Sequence, residues 1–169
     1  MNIKSLIRNV PNFPKKGITY KDITPLLLNP EAMEFCVQKW VEQIQTPIDK
    51  VVGIESRGFF FATLLAKELN AGFVPIRKSG KLPYKVLQEN YSLEYGEGQL
   101  EIHTDAIQPG EKVLIHDDVL ATGGTAKAAC RLVEKLGGEI VQCNFLIELS
   151  FLDGRNQLSG REITSLIEY

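Results

Sequence analysis

Apolar residues along the chain recur with two different periods, and the alternation between these periods predicts the order of helices and strands. In residues 30–45 they recur every three or four positions, which is typical of one helix face, and Asn29 can cap this helix with Pro30 in its first position. Short, continuously apolar runs, typical of buried strands, separate this helix from two others. The predicted helices cover 30–45, 56–72 and 125–138, and the predicted strands cover 49–55, 73–77, 111–117 and 139–149.

This alternation of strands with helices predicts βαβ units and therefore a parallel sheet with both faces covered. The three residues before His116 are all apolar, as expected of a central strand in such a sheet. We expect an α/β fold in which helices flank a central, mostly parallel sheet, within a single domain over residues 1–169.

Residues 78–104 break the alternation. They are rich in Gly, Lys and Tyr and have only weak strand signals, which indicates a hairpin with a long flexible tip. Because long loops in compact domains are usually binding loops, lids or disordered segments, this stretch is a candidate lid.

The composition narrows the class of partner. The chain has 169 residues, 44% of them hydrophobic, and a net charge of −2, so no overall field draws it to nucleic acid or to an anionic membrane. Cys36, Cys130 and Cys143 have no CxxC or metal-ligand spacing, so we expect them in the core of a protein from a reducing compartment. No signal-peptide apolar region and no run of ~18–20 apolar residues is present. A soluble, cytoplasmic protein is expected.

The segment LIHDDVLATGGT, residues 114–125, has the features of an anion site. Asp117 and Asp118 end a predicted central strand, and ATGGT leads into the next helix, at the sheet edge where α/β proteins bind ligands. The free N–H groups and positive dipole of a helix start suit a phosphate, and glycines allow a close approach. The segment is neither a Walker A loop, since GK[ST] is missing, nor GxGxxG.

The two carboxylates would repel a phosphate, so they need a separate explanation. A sugar phosphate supplies one: its hydroxyls can lie over Asp117 and Asp118 while its phosphate occupies the turn. The alternative is a solvated acid pair beside a helix start, with a glycine turn that serves backbone geometry alone.

This segment resembles the 5-phosphoribosyl 1-pyrophosphate (PRPP) binding motif of the type I phosphoribosyltransferases. Further segments resemble the adenine-specific branch of that family, and the similarity covers nearly the whole chain. They are PNFPKKGITYKDITPLL (11–27), GIESRGFFFA (53–62), RKSGKLPY (77–84) and YSLEYGEGQLEIHTDAI (91–107). The resemblance implies the type I phosphoribosyltransferase fold, with a small N-terminal hood at 1–30 that binds the base and a flexible hairpin lid at 78–104.

The resemblance also implies the reaction: transfer of the 5-phosphoribosyl group from PRPP to N9 of adenine, giving AMP and pyrophosphate in purine salvage. Asp117 and Asp118 would hold the ribose hydroxyls. The 5-phosphate is assigned to Ala121, Thr122, Gly123, Gly124 and Thr125.

The resemblance places adenine between Tyr20 and Leu149. The Thr19 carbonyl would accept from its exocyclic amine, and the Lys21 backbone N–H would donate to N1. Lys21 stands where the family often has Arg, a change that should matter little for a main-chain contact.

The resemblance assigns pyrophosphate binding and catalysis to a further set of residues. Without the resemblance, these residues would be interpreted as ion-paired or solvated charges and as an aromatic side chain in a loop. The pyrophosphate set is Glu55, Ser56, Arg57, Arg77, Lys78 and Lys81, with a non-proline cis peptide bond near Ser56. The catalytic set is Arg57, Glu94 and Tyr95, where Glu94 either accepts the N9 proton or stabilises the cation. The resemblance further implies Mg²⁺ held by PRPP and water without a direct protein ligand, and a homodimer in which Arg77 reaches the neighbouring site.

Two other readings differ in substrate or class. A phosphoribosyltransferase for hypoxanthine and guanine, or for xanthine, would use a lysine near residue 149 to read O6, and none is there. A PRPP-sensing regulator that binds nucleic acid would have a basic surface or an added DNA-binding module, and it could dispense with Glu94 and Tyr95. This chain has a net charge of −2 and contains both Glu94 and Tyr95, which disfavours that alternative.

Overall fold

The computed structural model describes residues 1–92 and 97–169, with the side chains of residues 92 and 97 left aside; Glu94 and Tyr95 lie outside the described residues. The strands are β1 (Arg8–Pro11), β2 (Thr19–Asp22), β3 (Lys50–Ile54), β4 (Gly72–Lys78), β5 (Val86–Ser92), β6 (Glu97–His103), β7 (Lys112–Leu120), β8 (Glu139–Glu148) and β9 (Ile163–Glu168). The α-helices are α1 (Thr24–Leu27), α2 (Pro30–Val41), α3 (Gly58–Glu68) and α4 (Gly124–Lys135). Short 3₁₀ helices cover Ile3–Leu6, Ser150–Leu152 and Gly154–Leu158.

Seven strands form one sheet in the order β5-β6-β4-β3-β7-β8-β9. The strands β4, β3, β7, β8 and β9 are parallel, so all five end at the same edge of the sheet. Helix α4 packs on one face, where Val113 and Ile115 are buried, and α2 and α3 pack on the other face with Leu114. The predicted fold class, a mostly parallel sheet flanked by helices, is confirmed.

Strand pairing accounts for two of the differences from the sequence prediction; α2 and α3 are also shorter than predicted and end at Val41 and Glu68. Strand β7 continues three residues past the predicted end at Asp117, since β8 is long enough to pair Asp117 with Phe145 and Val119 with Ile147. In residues 78–104 the weak strand signals belong to two regular seven-residue strands, β5 and β6, which pair antiparallel and extend the sheet beyond β4. The burial of Leu100 and Ile102 attaches this hairpin to the core.

The N-terminal hood is a separate two-stranded sheet of β1 and β2, in which Lys21 lies opposite Asn9 and Tyr20 opposite Val10. After it, the Asn29 side chain accepts a hydrogen bond from the Ala32 N–H at 3.0 Å, which confirms the predicted cap of α2. All three cysteines are buried as free thiols, as expected of core residues. Among the described residues, no helix is both long and apolar enough to cross a membrane.

Candidate active site

The acid pair, Asp117 and Asp118, lies in the second half of β7, near the edge where the parallel strands end. The Asp117 carboxylate accepts a hydrogen bond from the Asp118 N–H at 2.9 Å, and Arg57 Nε lies 3.0 Å from Asp118 Oδ2. Helix α3 begins directly against the pair: a Cβ at Gly58 would lie 2.9 Å from Asp117 Oδ1. Glycine at position 58 therefore allows the helix start and the acid to meet.

Burial makes both acids hold protons more strongly than free aspartates do. The pKa of Asp117 is raised well above its usual value by burial and by the charge of Asp118. Burial also raises the pKa of Asp118, although the Arg57 guanidinium partly offsets this rise. His116, which precedes the pair, supplies no compensating charge because burial lowers its pKa to about 4 and leaves the ring neutral.

The turn after β7 has the geometry of a phosphate cradle. Gly123 has φ of +84° and precedes the first turn of α4, whose N–H groups have no carbonyl partners within the helix. A cavity of about 70 Å³ lies here, lined by Asp117, Thr125 and the turn between them. It adjoins a larger cavity of about 450 Å³ between α4 and β5, where Lys127 and Arg131 add positive charge.

The 3₁₀ helix at Gly154–Leu158 packs closely against the turn at residues 121–125. A Cβ on Gly123 would lie 2.4 Å from the Gly154 carbonyl oxygen, and a Cβ on Gly154 would lie 2.0 Å from the Ala121 carbonyl oxygen. Sequence reasoning missed Gly154, because the short Asp-Gly turn that contains it has no periodic pattern and lies about 30 residues from the segment it supports.

We predict that Gly123→Ala weakens PRPP binding by about 10- to 100-fold, because it adds both a left-handed backbone penalty of roughly 1–3 kcal/mol and a clash with Gly154. Titration calorimetry with PRPP measures this loss. Gly110→Ala is the matched control: Gly110 has a similar φ of +85° but open space around its Cβ position. Equal losses of affinity in the two variants would contradict the assignment of the turn.

The hood residues that the resemblance assigns to the base reach the acid pair through Tyr20. Its hydroxyl accepts a hydrogen bond from the Arg57 guanidinium, whose Cζ lies 4.9 Å from the Tyr20 ring centroid. Phe13 packs edge-on against the same ring at 5.2 Å between centroids. The structure thus places Tyr20 beside Arg57 and Asp118. Leu149 lies just past β8, where its N–H donates to the Leu120 carbonyl at 2.9 Å.

Two of the cations assigned to pyrophosphate, Arg77 and Lys81, pair with Glu55, just after β3. Arg77 Nε lies 3.3 Å from one carboxylate oxygen, the Lys78 backbone N–H donates to the same oxygen at 2.9 Å, and Lys81 Nζ pairs with the other. Burial alone would raise the pKa of Glu55, but these hydrogen bonds outweigh it and lower that pKa. The peptide bond between Glu55 and Ser56 is cis, as the resemblance implied. Glu55 therefore acts as the counterion that gathers the basic groups.

Comparison with known protein families identifies the family to which a chain with this site belongs. The model of the phosphoribosyl transferase domain matches residues 22–159, which include β3, the acid pair and the turn. This chain belongs to the phosphoribosyltransferase family. Relatives that match this chain over its full length include adenine phosphoribosyltransferases. The adenine phosphoribosyltransferase of Christiangramia forsetii is 64% identical over 170 residues, covering 100% of this chain and 99% of that protein.

Solved phosphoribosyltransferase structures agree with this assignment. The crystal structure of adenine phosphoribosyltransferase from Rhodothermus marinus is 53% identical, with a TM-score of 0.95 over 99% of this chain and 96% of that one. The Saccharomyces cerevisiae enzyme, complexed with D-2,5-dideoxy-2,5-imino-altritol 1,6-bisphosphate and adenine, is 40% identical, with a TM-score of 0.93 over 96% of this chain and 95% of that one. Such likeness confirms the recognised family and the type I phosphoribosyltransferase fold.

Proposed function

We propose that this protein is an adenine phosphoribosyltransferase, which transfers the 5-phosphoribosyl group of PRPP to N9 of adenine and releases AMP and pyrophosphate. The observation that supports this most directly is the convergence of three groups at one sheet edge: the phosphate turn, the acid pair and the hood residue Tyr20, joined through Arg57. The adenine phosphoribosyltransferases similar over the whole chain support the choice of base.

Substrate binding requires a rearrangement of charges at the acid pair. The turn at 121–125 binds the 5-phosphate through main-chain N–H groups and threonine hydroxyls. The ribose hydroxyls donate to Asp117 and Asp118, so Arg57 moves from Asp118 toward the incoming pyrophosphate. That movement brings a cation to the leaving group, where negative charge develops as the bond to the anomeric carbon breaks.

The donor set at this edge fits Mg²⁺ carried by the substrate. Carboxylate oxygens are ligands that Mg²⁺ accepts, and the buried Asp118 Oδ2 makes no hydrogen bond despite its ion contact with Arg57. In the described residues no three His, Cys, Asp or Glu side chains gather as a metal site. The resemblance implies that PRPP and water supply most of the ligands. When bound, Mg²⁺ neutralises charge on the pyrophosphate. Arg57, Arg77 and Lys81 add to that neutralisation from the protein.

Exclusion of water is assigned to the lid at 78–104. Glu94 and Tyr95, which lie outside the described residues, would close over the reacting centre, Glu94 either accepting the N9 proton or stabilising the cation. The strands β5 and β6 connect this tip to the sheet beside the basic residues at the end of β4.

A cytoplasmic location stays a prediction.

Selection of adenine rests on two main-chain contacts. The Thr19 carbonyl would accept from the exocyclic amine and the Lys21 N–H would donate to N1, whereas hypoxanthine has O6 and N1–H in those places. At roughly 1–3 kcal/mol for each unsatisfied buried group, this predicts discrimination of about 10²- to 10⁴-fold.

The assay is pyrophosphate release from PRPP and Mg²⁺ with adenine, hypoxanthine, guanine or no base. Release confined to adenine is the expected result. Turnover of a 6-oxopurine would overturn the base assignment, and tight PRPP binding without turnover would favour the sensor class instead. The absence of any lysine close to Leu149 in the sequence already disfavours an enzyme that recognises the O6 atom of a 6-oxopurine.

We also propose a homodimer that buries an apolar groove between α1, α2 and α3. Leu27, Met33, Phe59 and Leu64 help to line a cavity of about 390 Å³ there, and Phe60 is 45% exposed at its rim. Apolar patches of this kind mark interaction sites more often than free surface.

We predict that Phe60→Asp shifts the protein from dimer to monomer, because it would bury a charge in this interface. Sedimentation velocity measures the change. Phe151→Asp is the control: Phe151 is 70% exposed but lies in the 3₁₀ helix after β8, away from the groove. A Phe60→Asp protein that sediments as the wild type does would contradict this interface.

A further inference from the structure

The two walls of the base site belong to different parts of the fold. Tyr20 lies in the small sheet of the hood, whereas Leu149 follows β8 of the main sheet. No ladder of backbone hydrogen bonds joins these sheets in the described part of the chain. Side-chain contacts must therefore set the distance between the walls, and stacking on a planar base depends closely on that distance.

Tyr169, directly after β9, is fixed to the Leu149 side. Its N–H donates to the Glu148 carbonyl at 3.0 Å, and its own carbonyl accepts from the Ser150 N–H at 3.0 Å. These two bonds bracket Leu149 along the backbone. Any displacement of Tyr169 is thereby coupled to the wall that Leu149 forms.

The ring of Tyr169 is fixed to the hood side by ammonium groups. Lys21 Nζ lies 3.5 Å from the ring centroid, well inside the range of a cation–π contact, and also donates to Asn9 Oδ1 at 2.7 Å. Lys4 Nζ lies 4.3 Å from the same centroid and donates to the Glu168 carbonyl at 2.5 Å. Tyr169 is thus the meeting point of β2, the N-terminal 3₁₀ helix and β9.

The alternation of side chains along β2 separates the roles of its two central residues. Neighbouring side chains of a strand point to opposite faces. Tyr20 contacts Arg57 in the site, while Lys21 contacts Tyr169. The Lys21 ammonium is partly desolvated, and burial together with the nearby Lys4 charge lowers its pKa. The aromatic face and Asn9 offset that cost, so the contact holds β2 at a defined distance from β9.

We propose that Tyr169 is a positioning residue that sets the separation of the two base-binding walls through its contact with Lys21. This inference rests on the proposed function, since it concerns the base pocket of that reaction. It gives the Lys21 side chain a role beyond the main-chain contact expected from the sequence, and it gives the C-terminal strand a part in base binding.

The test is steady-state kinetics of Tyr169→Leu, Tyr169→Phe, Lys21→Met and the Leu/Met double variant. Tyr169→Leu should raise KM for the base by about 3- to 30-fold, the range expected from loss of the cation–π contact with Lys21, and leave KM for PRPP within about twofold. Tyr169→Phe keeps the ring and should restore most of the base affinity. Because Tyr169 and Lys21 act as one contact, the double variant should lose no more than the worse single variant.

Three results would overturn the inference: equal increases in the two KM values, additive losses in the double variant, or a Tyr169→Phe enzyme as impaired as Tyr169→Leu. Thermal midpoints of all four variants identify a loss that reflects unfolding, since unfolding would not separate the base from PRPP. The assay uses whichever purine the wild-type enzyme turns over fastest. A base other than adenine would therefore contradict the proposed function and still test the role of Tyr169.

Discussion

Replacing Asp117 by Asn should stabilise the free protein and, in the same variant, weaken its binding of PRPP. Burial and the charge of Asp118 raise the pKa of Asp117, so the folded protein holds this carboxylate at a cost that an isosteric neutral amide avoids. The Asn oxygen can still accept the hydrogen bond from the Asp118 N–H. The ribose hydroxyls lose a charged acceptor, worth about 1.5–3 kcal/mol, which corresponds to about 10- to 100-fold in PRPP affinity.

The stabilisation should depend on pH with a definite sign. Because the pKa of Asp117 is higher in the folded state than the usual value of 3.8, the folded protein binds more protons than the unfolded chain does. The contribution of Asp117 to the free energy of unfolding therefore falls as pH rises above that value. The gain from Asp117→Asn should grow over the same range, which urea unfolding between about pH 5 and 8 measures.

The exposed Asp105 provides the matched control, because Asp105→Asn removes a charge without changing a buried site. A gain in stability that is equal in the two variants, or an Asp117→Asn enzyme with unchanged PRPP affinity, would contradict the role given to the acid pair.

The second large effect is expected for Arg57→Ala. Arg57 contacts both Asp118 and the Tyr20 hydroxyl, and in the proposed reaction it neutralises pyrophosphate. Truncating one partner of a desolvated charge pair typically costs 2–5 kcal/mol, so kcat/KM for PRPP should fall by roughly 10²- to 10³-fold. Because the contacts expected to hold adenine come from Tyr20, Leu149 and the main chain of residues 19 and 21, KM for adenine should change far less. Initial rates with each substrate varied in turn measure both values.

Arg161→Ala is the control for this variant, since Arg161 pairs with Glu134 just before β9, at the edge of the sheet where the parallel strands begin. It should leave both KM values close to those of the wild type. Equal losses for PRPP and adenine in Arg57→Ala would mean that Arg57 supports the hood and acid pair as structure and does not act on the leaving group.

The central sheet could be predicted from local pattern because buried parallel strands and amphipathic helices have distinct apolar periods. Asp117 and Asp118 could be placed near the ligand edge for the same reason: they follow a continuously apolar run in a parallel strand, and the carboxyl end of that strand lies where the other parallel strands end, although β7 itself continues to Leu120. The hood strands β1 and β2 are four residues each and contain no fully buried residue, so they have no apolar period to detect.

The remaining features of the site join residues that are far apart in sequence. Nothing local to Glu55 indicates that it gathers Arg77 and Lys81, and nothing near Asp118 indicates that Arg57 is its counterion. Such pairings follow from the register of β3, β4 and β7, which a single sequence does not specify. Tyr20 was assigned to the base by family resemblance alone, and the structure adds its contact with Arg57.

A crystal structure of this protein with AMP bound tests the proposed nucleotide site most directly. We expect the 5-phosphate on the N–H groups of residues 122–125, the ribose hydroxyls on Asp117 and Asp118, and the base between Tyr20 and Leu149. We also expect Arg57 to have moved away from Asp118. A phosphate bound elsewhere, for example on Lys127 and Arg131 alone, or a base outside the hood, would contradict the assignment of this sheet edge as one continuous nucleotide site.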